Sequence, residues 1–187
     1  MDLLVSDTNI LTKFTADFVK VIDKLNIKYA IVSGFVVIAH GRSRGTEDID
    51  LIIERLSKEQ FYKLHNELEK NEFECLQGNN VENLYVDYLI DNLSLRYVRK
   101  NEFLPEMELK LSKDKLDEYQ LKTRTKLKLT NLNFYFSTIE MNIAFKEELL
   151  KSGKDLADAK HLRIIYENKL NKKEIENIKK MINEYRL

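Results

Sequence analysis

Two carboxylates stand one residue apart at the head of an apolar run, Asp48-Ile49-Asp50 followed by Leu51-Ile52-Ile53. No other stretch of the 187 residues limits the fold as tightly. On a β-strand, residues i and i+2 share a face, roughly 7 Å apart along the chain. Asp48 and Asp50 therefore project together, and Ile49 and Leu51 point the other way. Two like charges held this close repel unless something positive lies between them. A hard, oxygen-seeking cation such as Mg²⁺ is the natural partner.

The elements around this strand alternate. Ile10, Leu11, Phe14, Phe18, Val21, Ile22 and Leu25 recur at helical spacing, with Asp7 or Thr8 as the expected cap. "KYAIVS" reads as a short buried strand ended by Gly34, and "FVVIAHG" as a short apolar helix or turn closed by Gly41. After "DIDLIIE", Ser57 is placed to cap a helix to about Lys70, with Phe61, Leu64 and Leu68 on one face. "FECLQ", "LYVDYLI" and "LSLRYVR" read as strands by composition. Residues 101–118 are ambiguous. "YQLKTRTKLKLTNLNFYFS" alternates, which argues for a strand with Lys122, Arg124, Lys126 and Lys128 on one face and a turn at "TNLN". From Thr138 the pattern is helical, with breaks at Gly153 and Asn171. The expected class is α/β (α+β): a mixed central sheet flanked by helices over residues 1–137, and a C-terminal helical segment over 138–187.

Asp87 lies in the middle of "LYVDYLI". An aspartate inside an apolar run is costly to bury unless it is paired or on a metal. If its strand lies beside the Asp48–Asp50 strand, three carboxylates converge and can hold two Mg²⁺ ions, a geometry that supports in-line phosphoryl or nucleotidyl transfer. Otherwise Asp48 is a turn residue, Asp50 a strand start and Asp87 a sheet-edge residue. Ser33-Gly34 follows a strand and opens a helix, where glycine lets the backbone approach an anion. Arg42 and Arg44 precede the acids and can bind triphosphate oxygens, or serve as counter-charge for Glu47 and Asp48.

The joint order, Ser33-Gly34, then Arg44-x-Thr46-x-Asp48-Ile49-Asp50, with a third acid on a later strand, resembles the nucleotidyltransferase fold shared by DNA polymerase β and the aminoglycoside nucleotidyltransferases. The likeness covers about residues 25–91 and departs from the pattern in placing serine first. A second segment, "TIEMNIAFKEELLKSGKDLADAKHL", is similar to small prokaryotic nucleotidyltransferases of the abortive-infection toxin type, matching at Glu140, Lys146, Lys154, Asp155 and Asp158. These resemblances imply a Mg²⁺-dependent transfer of a nucleoside monophosphate from an NTP to an acceptor hydroxyl. The acceptor would be tRNA or another RNA, a protein or a small molecule, and the second resemblance implies a toxin–antitoxin pair with a cognate antitoxin. They imply Asp48, Asp50 and Asp87 as catalytic metal ligands. Ser33, Gly34, Arg42, Arg44, Thr46, Lys146 and Lys154 would hold the nucleotide. Asp155 and Asp158 equally fit a helix first turn with no further role. Two other classes stay open: a catalytically inactive nucleotide- or partner-binding module of the same fold, and a phosphohydrolase.

Residues 1–95 carry 10 Lys/Arg against 16 Asp/Glu and residues 96–187 carry 21 against 15, so −6 and +6 sum to zero. An acidic half facing a basic half suits a metal-plus-phosphate site, although ordinary solvated surface has the same signature. One cysteine, Cys75, excludes an intrachain disulfide and fits a reducing cytoplasm. No His/Cys pair has zinc-ligand spacing. No signal peptide or membrane span is expected, since the longest apolar run, Tyr29 to Ala39, is too short. The Lys122–Lys128 stripe suits either a nucleic-acid backbone or a guarded sheet edge.

Overall fold

The structure, a computed structural model, describes residues 3–43 and 45–187. Five strands form one mixed sheet in the order β1-β2-β5-β4-β3. They are β1 (Tyr29–Val32), β2 (Asp48–Ile53), β3 (Phe73–Cys75), β4 (Leu95–Arg99) and β5 (Glu106–Leu111). β2 is antiparallel to β1 and parallel to β5, while β4 is antiparallel to both β5 and β3.

β2 and β5 share one burial pattern. Ile49, Leu51 and Ile53 of β2 and Met107, Leu109 and Leu111 of β5 are buried. Their alternates, Asp50, Ile52, Glu106, Glu108 and Lys110, are half-buried on the opposite face. The first face joins the main core through α1 (Leu3–Lys24) and α3 (Lys58–Lys70). Phe14 and Phe18 of α1 meet Phe73 edge-on, and Phe18 also meets Tyr97. Helix α3 starts where a serine–glutamine capping box permits: Ser57 accepts from the Gln60 amide and the Gln60 side chain returns to the Ser57 amide. The short helix α2 (Gly34–Ala39) buries Phe35 to Ile38. Helix α1 begins before Asp7 and Thr8, so the cap expected there falls inside it, and Ile10 is exposed.

Two expected strands are helical instead. "LYVDYLI" forms α4 (Val81–Asn83) and a π-helical continuation, Leu84–Leu89, opened by the Asn80 side chain accepting from the Asn83 amide. An unbroken apolar run carries no period that separates strand from buried helix. "YQLKT" ends α5 (Lys115–Thr123), whose cap is Asp114, accepting from the Leu116 and Asp117 amides. Beyond it the chain is irregular, with a 3₁₀ turn at Lys128–Thr130 and single bridges of Phe136 to Ile31 and Thr125. Lys122, Arg124, Lys126 and Lys128 thus share no strand face. Conversely, the ambiguous stretch holds a central strand, β5.

From Thr138 the chain is helical as expected: α6 (Ile139–Phe145) with a π-helical turn at Lys146–Leu150, α7 (Gly153–Ile165) and α8 (Lys172–Arg186). Ser152 and Asn171 cap the last two. Ile175, Ile178 and Ile182 recur at helical spacing and bury the inner side of α8. Among the described residues, no helix is long and apolar enough to cross a membrane.

Candidate active site

Asp48 and Asp50 stand on β2 with parallel β5 beside it, and the register sets Asp50 opposite Glu108. One carboxylate oxygen each from Asp48, Asp50 and Glu108 lies within 4.8 Å of the others. The third acid of the cluster is therefore Glu108. Asp87 is not part of it: it is exposed on the π-helical continuation of α4, where the strand expected to carry it does not form. The stretch "EMELKL" alternates charge with Met107, Leu109 and Leu111, a period-two signal that marks Glu108 as a strand residue.

Lys110, two residues beyond Glu108 on the same face, completes the cluster. Its Nζ donates to Asp50 Oδ1 at 3.1 Å and lies 3.3 Å from Glu108 Oε2. Glu108 also accepts from the Ser94 hydroxyl at 2.7 Å. Burial pushes the Asp50 carboxyl up despite the opposing pull of Lys110. Burial pushes Glu108 up as well, but Ser94 and Lys110 outweigh it and hold this carboxyl below the usual range. Three hard oxygen donors with a lysine ammonium among them suit a cation by chemistry: the cluster already attracts one positive charge. Replacing that ammonium should free the acids for an ion. Lys110→Met is expected to raise Mn²⁺ affinity about tenfold (~1.4 kcal/mol), read by electron paramagnetic resonance. Unchanged or weaker binding would show that Lys110 does not compete.

The turn beside the cluster is built by Ser33. Val32 pairs with Asp50, so Ser33-Gly34 leaves the sheet at the carboxylates. Ser33 has φ 62° and ψ −127°, the geometry of the first central residue of a type II′ turn, which favours glycine. Its amide donates to Asn142 Oδ1 of α6 at 3.2 Å, which helps to hold the strained turn. Ser33→Gly is expected to stabilise the protein by roughly 1 kcal/mol by removing this strain, less glycine's greater unfolded-state entropy. A thermal melt checks it, and a fall in midpoint would contradict it. A small cavity of about 70 Å³ adjoins the turn, lined by Ser33, Ile52, Gln120, Asn142 and Lys146 among others.

The remaining expected residues are distributed around α7. Lys146 is 2% exposed and its ammonium sits on Asp158 Oδ2 at 3.0 Å and Asp155 Oδ1 at 3.3 Å. Asp158, fully buried, also pairs with Arg42. His40 and His161 add to this joint. The His40 Nδ1 is 2.6 Å from Val36 O, its Nε2 is 2.7 Å from the Tyr166 hydroxyl, and His161 Nε2 is 3.0 Å from His40 O. So α7 clamps the segment that leads into β2. Thr46 donates to Asp48 Oδ1 at 2.8 Å and orients that acid. Lys154 is exposed in the first turn of α7, and Glu140 accepts from the Asn171 amide. Arg44 lies outside the described residues. Burial pushes the Cys75 thiol up to about 11, which makes it a poor nucleophile at neutral pH.

No family profile and no curated protein matches the chain. Solved structures do. The solution structure of the antibiotic-resistance factor ANT(2'')-Ia is 10% identical with a TM-score of 0.56, covering 94% of this chain and 92% of that one. The same factor in complex with adenylyl-2''-tobramycin is 13% identical with a TM-score of 0.56, over 95% and 99% of the two chains. An antigenic nucleotidyltransferase-like protein from Paracoccidioides brasiliensis is 18% identical with a TM-score of 0.51, over 99% and 89%. The chain has the nucleotidyltransferase fold. Its sheet carries acids on neighbouring central strands, as the resemblance of Asp48-Ile49-Asp50 implies, with β5 rather than the "LYVDYLI" segment supplying the third.

Proposed function

We propose that this chain is a divalent-metal-dependent nucleotidyltransferase that moves a nucleoside monophosphate from an NTP to an acceptor hydroxyl and releases pyrophosphate. The observation that carries the reading is the convergence of Asp48, Asp50 and Glu108 on adjacent strands of this fold. These three residues would hold Mg²⁺, which when bound neutralises the triphosphate and makes the acceptor hydroxyl more acidic. Glu108, held ionised by Ser94 and Lys110, accepts the proton of the acceptor hydroxyl. The freed oxygen bonds to the α-phosphorus as the bond to the β-phosphate oxygen breaks. Asp50 would share in holding the ion, and Thr46 fixes the Asp48 carboxylate. The Ser33-Gly34 turn and the segment bearing Arg42 bound the space for the triphosphate. Lys146 acts by locking α6 to α7 through Asp155 and Asp158, since its ammonium is committed there.

One fold neighbour is in complex with adenylyl-2''-tobramycin, which supports an adenylyl donor and a hydroxyl acceptor. A toxin acting on RNA or protein is what the C-terminal resemblance implies. Incubation of the protein with each α-³²P-labelled NTP and an acceptor pool of RNA, protein and aminoglycosides tests the reading. Mg²⁺-dependent label on one acceptor class is the expected result, and none on any class would overturn it.

Lys110 favours one alternative. An ammonium on Asp50 and Glu108 lets the cluster persist without metal, as a nucleotide- or partner-binding module would need. In that case Lys110→Met would lower stability without gaining Mn²⁺ affinity.

A further inference from the structure

At the opposite end of β2 from Asp48 a groove of about 630 Å³ opens. Five cations line it: Lys28, Arg55, Lys113, Lys122 and Arg124. They come from the β1, β2 and β5 ends and from α5 and the segment after it. Among the described residues of its lining, the acids are Glu54 and Glu118, and Glu54 accepts from the Lys28 backbone amide at 2.7 Å. Five positive against two negative charges leave +3. Among the described residues none of the five cations forms an ion pair with a carboxylate. Arg55 donates only to Asn92 Oδ1 and Ser112 O, each at 3.1 Å. Arg124 donates to Leu121 O at 2.6 Å, while its buried Nε has no partner. Elsewhere in this protein cations are paired readily, as Lys146, Arg163 and Arg186 show. Unpaired like charges lining one groove repel one another and are relieved by a ligand with several negative charges.

We propose that this groove binds the phosphodiester backbone of a single-stranded nucleic acid. Two of the five cations are guanidiniums anchored to neutral oxygens, Arg55 to Asn92 and Ser112 and Arg124 to Leu121, which leaves their charge unneutralised. One feature favours a nucleic-acid strand over an acidic peptide: an aromatic ring stands beside the cations. That ring is Tyr135, next to the groove: Arg124 lies 4.8 Å from its centroid and Lys126 5.2 Å from it. Cations along a groove beside an aromatic ring are the elements by which single strands are held without sequence preference. Glu54 is four residues from Asp50, roughly 13 Å along the strand, so a strand held here lies a few nucleotides from the acids. The inference deepens the proposed transfer by naming an acceptor class, and it is tested without nucleotide or metal.

Fluorescence anisotropy with labelled 12-residue oligouridylate and oligothymidylate, over 50–300 mM salt and without divalent ions, reads the binding. Both oligonucleotides should bind, with log K falling against log salt at a slope between about −2 and −3.5, from three to five neutralised phosphates. Lys113→Glu/Lys122→Glu should weaken binding more than tenfold and flatten the slope. Lys113→Gln/Lys122→Gln should weaken it less and guards against misfolding of the first variant, with circular dichroism confirming the fold of both. Mg²⁺–NTP binding in these variants should equal that of the wild type, which separates this inference from the transfer reading. The inference is overturned if neither oligonucleotide binds at 50 mM salt, if the folded variants bind like the wild type, or if polyglutamate or inorganic polyphosphate competes as well as the oligonucleotides.

Discussion

Glu108→Gln is expected to reduce label transfer from the donor NTP by at least about 10³-fold, with Asp87→Asn within twofold of the wild type. The glutamine keeps the size and the β5 register but removes a charge from a three-carboxylate cluster and, in the proposed transfer, the proton acceptor. General-base loss alone costs roughly 10²–10⁴-fold, and a weakened ion site adds to it. Asp87 is exposed on the helical segment 84–89, so its change touches neither. The opposite ranking, with Asp87→Asn inactive and Glu108→Gln active, would remove the basis for placing the chemistry on β2 and β5.

Asp158→Ala is expected to destabilise the fold by about 3–5 kcal/mol, the cost of stranding one partner of a buried pair. Asp158 is fully buried, and it neutralises Lys146, which is 2% exposed, together with Arg42. Asp155 sits 3.3 Å from the same ammonium and keeps part of the compensation. For a chain of this size the loss lowers the thermal midpoint by about 10 °C. Lys146→Met/Asp158→Leu should recover more than half of it, because burying an apolar pair costs less than burying a lone charge. A fall below about 1 kcal/mol in Asp158→Ala would mean that the ammonium finds water or another partner. In that event Lys146 would be free to turn toward a phosphate, and its positioning role would fail.

The long helices of this fold were legible because their apolar positions have a period. Helix α3 announced itself through Ser57 and the Phe61–Leu64–Leu68 spacing, whereas β2 was marked by the paired acids at its head and not by a period in its apolar residues. The segment 84–89 was not legible, because an unbroken apolar run fits a buried helix as well as a strand, and the Asn80 cap was the deciding signal. The Lys122–Lys128 alternation misled for a related reason. Period two in charge reports a strand only if the apolar alternates are buried together, and Thr125 and Leu129 are exposed. Asp114 capping α5 argued for the helix instead. The site was legible as far as one strand reaches. Asp48 and Asp50 are set by their own i, i+2 spacing, but the third acid depends on which strand lies next to β2. That adjacency is a matter of topology: β5 reaches β2 only after the chain has passed through α3, β3, α4 and β4. Lys110 follows from the same placement.

The most direct test of the central claim is calorimetric titration of the protein with the four NTPs, with and without Mg²⁺, in the wild type and in Asp48→Asn/Asp50→Asn. One NTP should bind in the presence of Mg²⁺, and that binding should be lost in the double variant, which keeps side-chain size while removing two of the three charges. Binding that needs no Mg²⁺ and survives the double variant, or no binding of any NTP, would contradict a metal–nucleotide site at Asp48, Asp50 and Glu108.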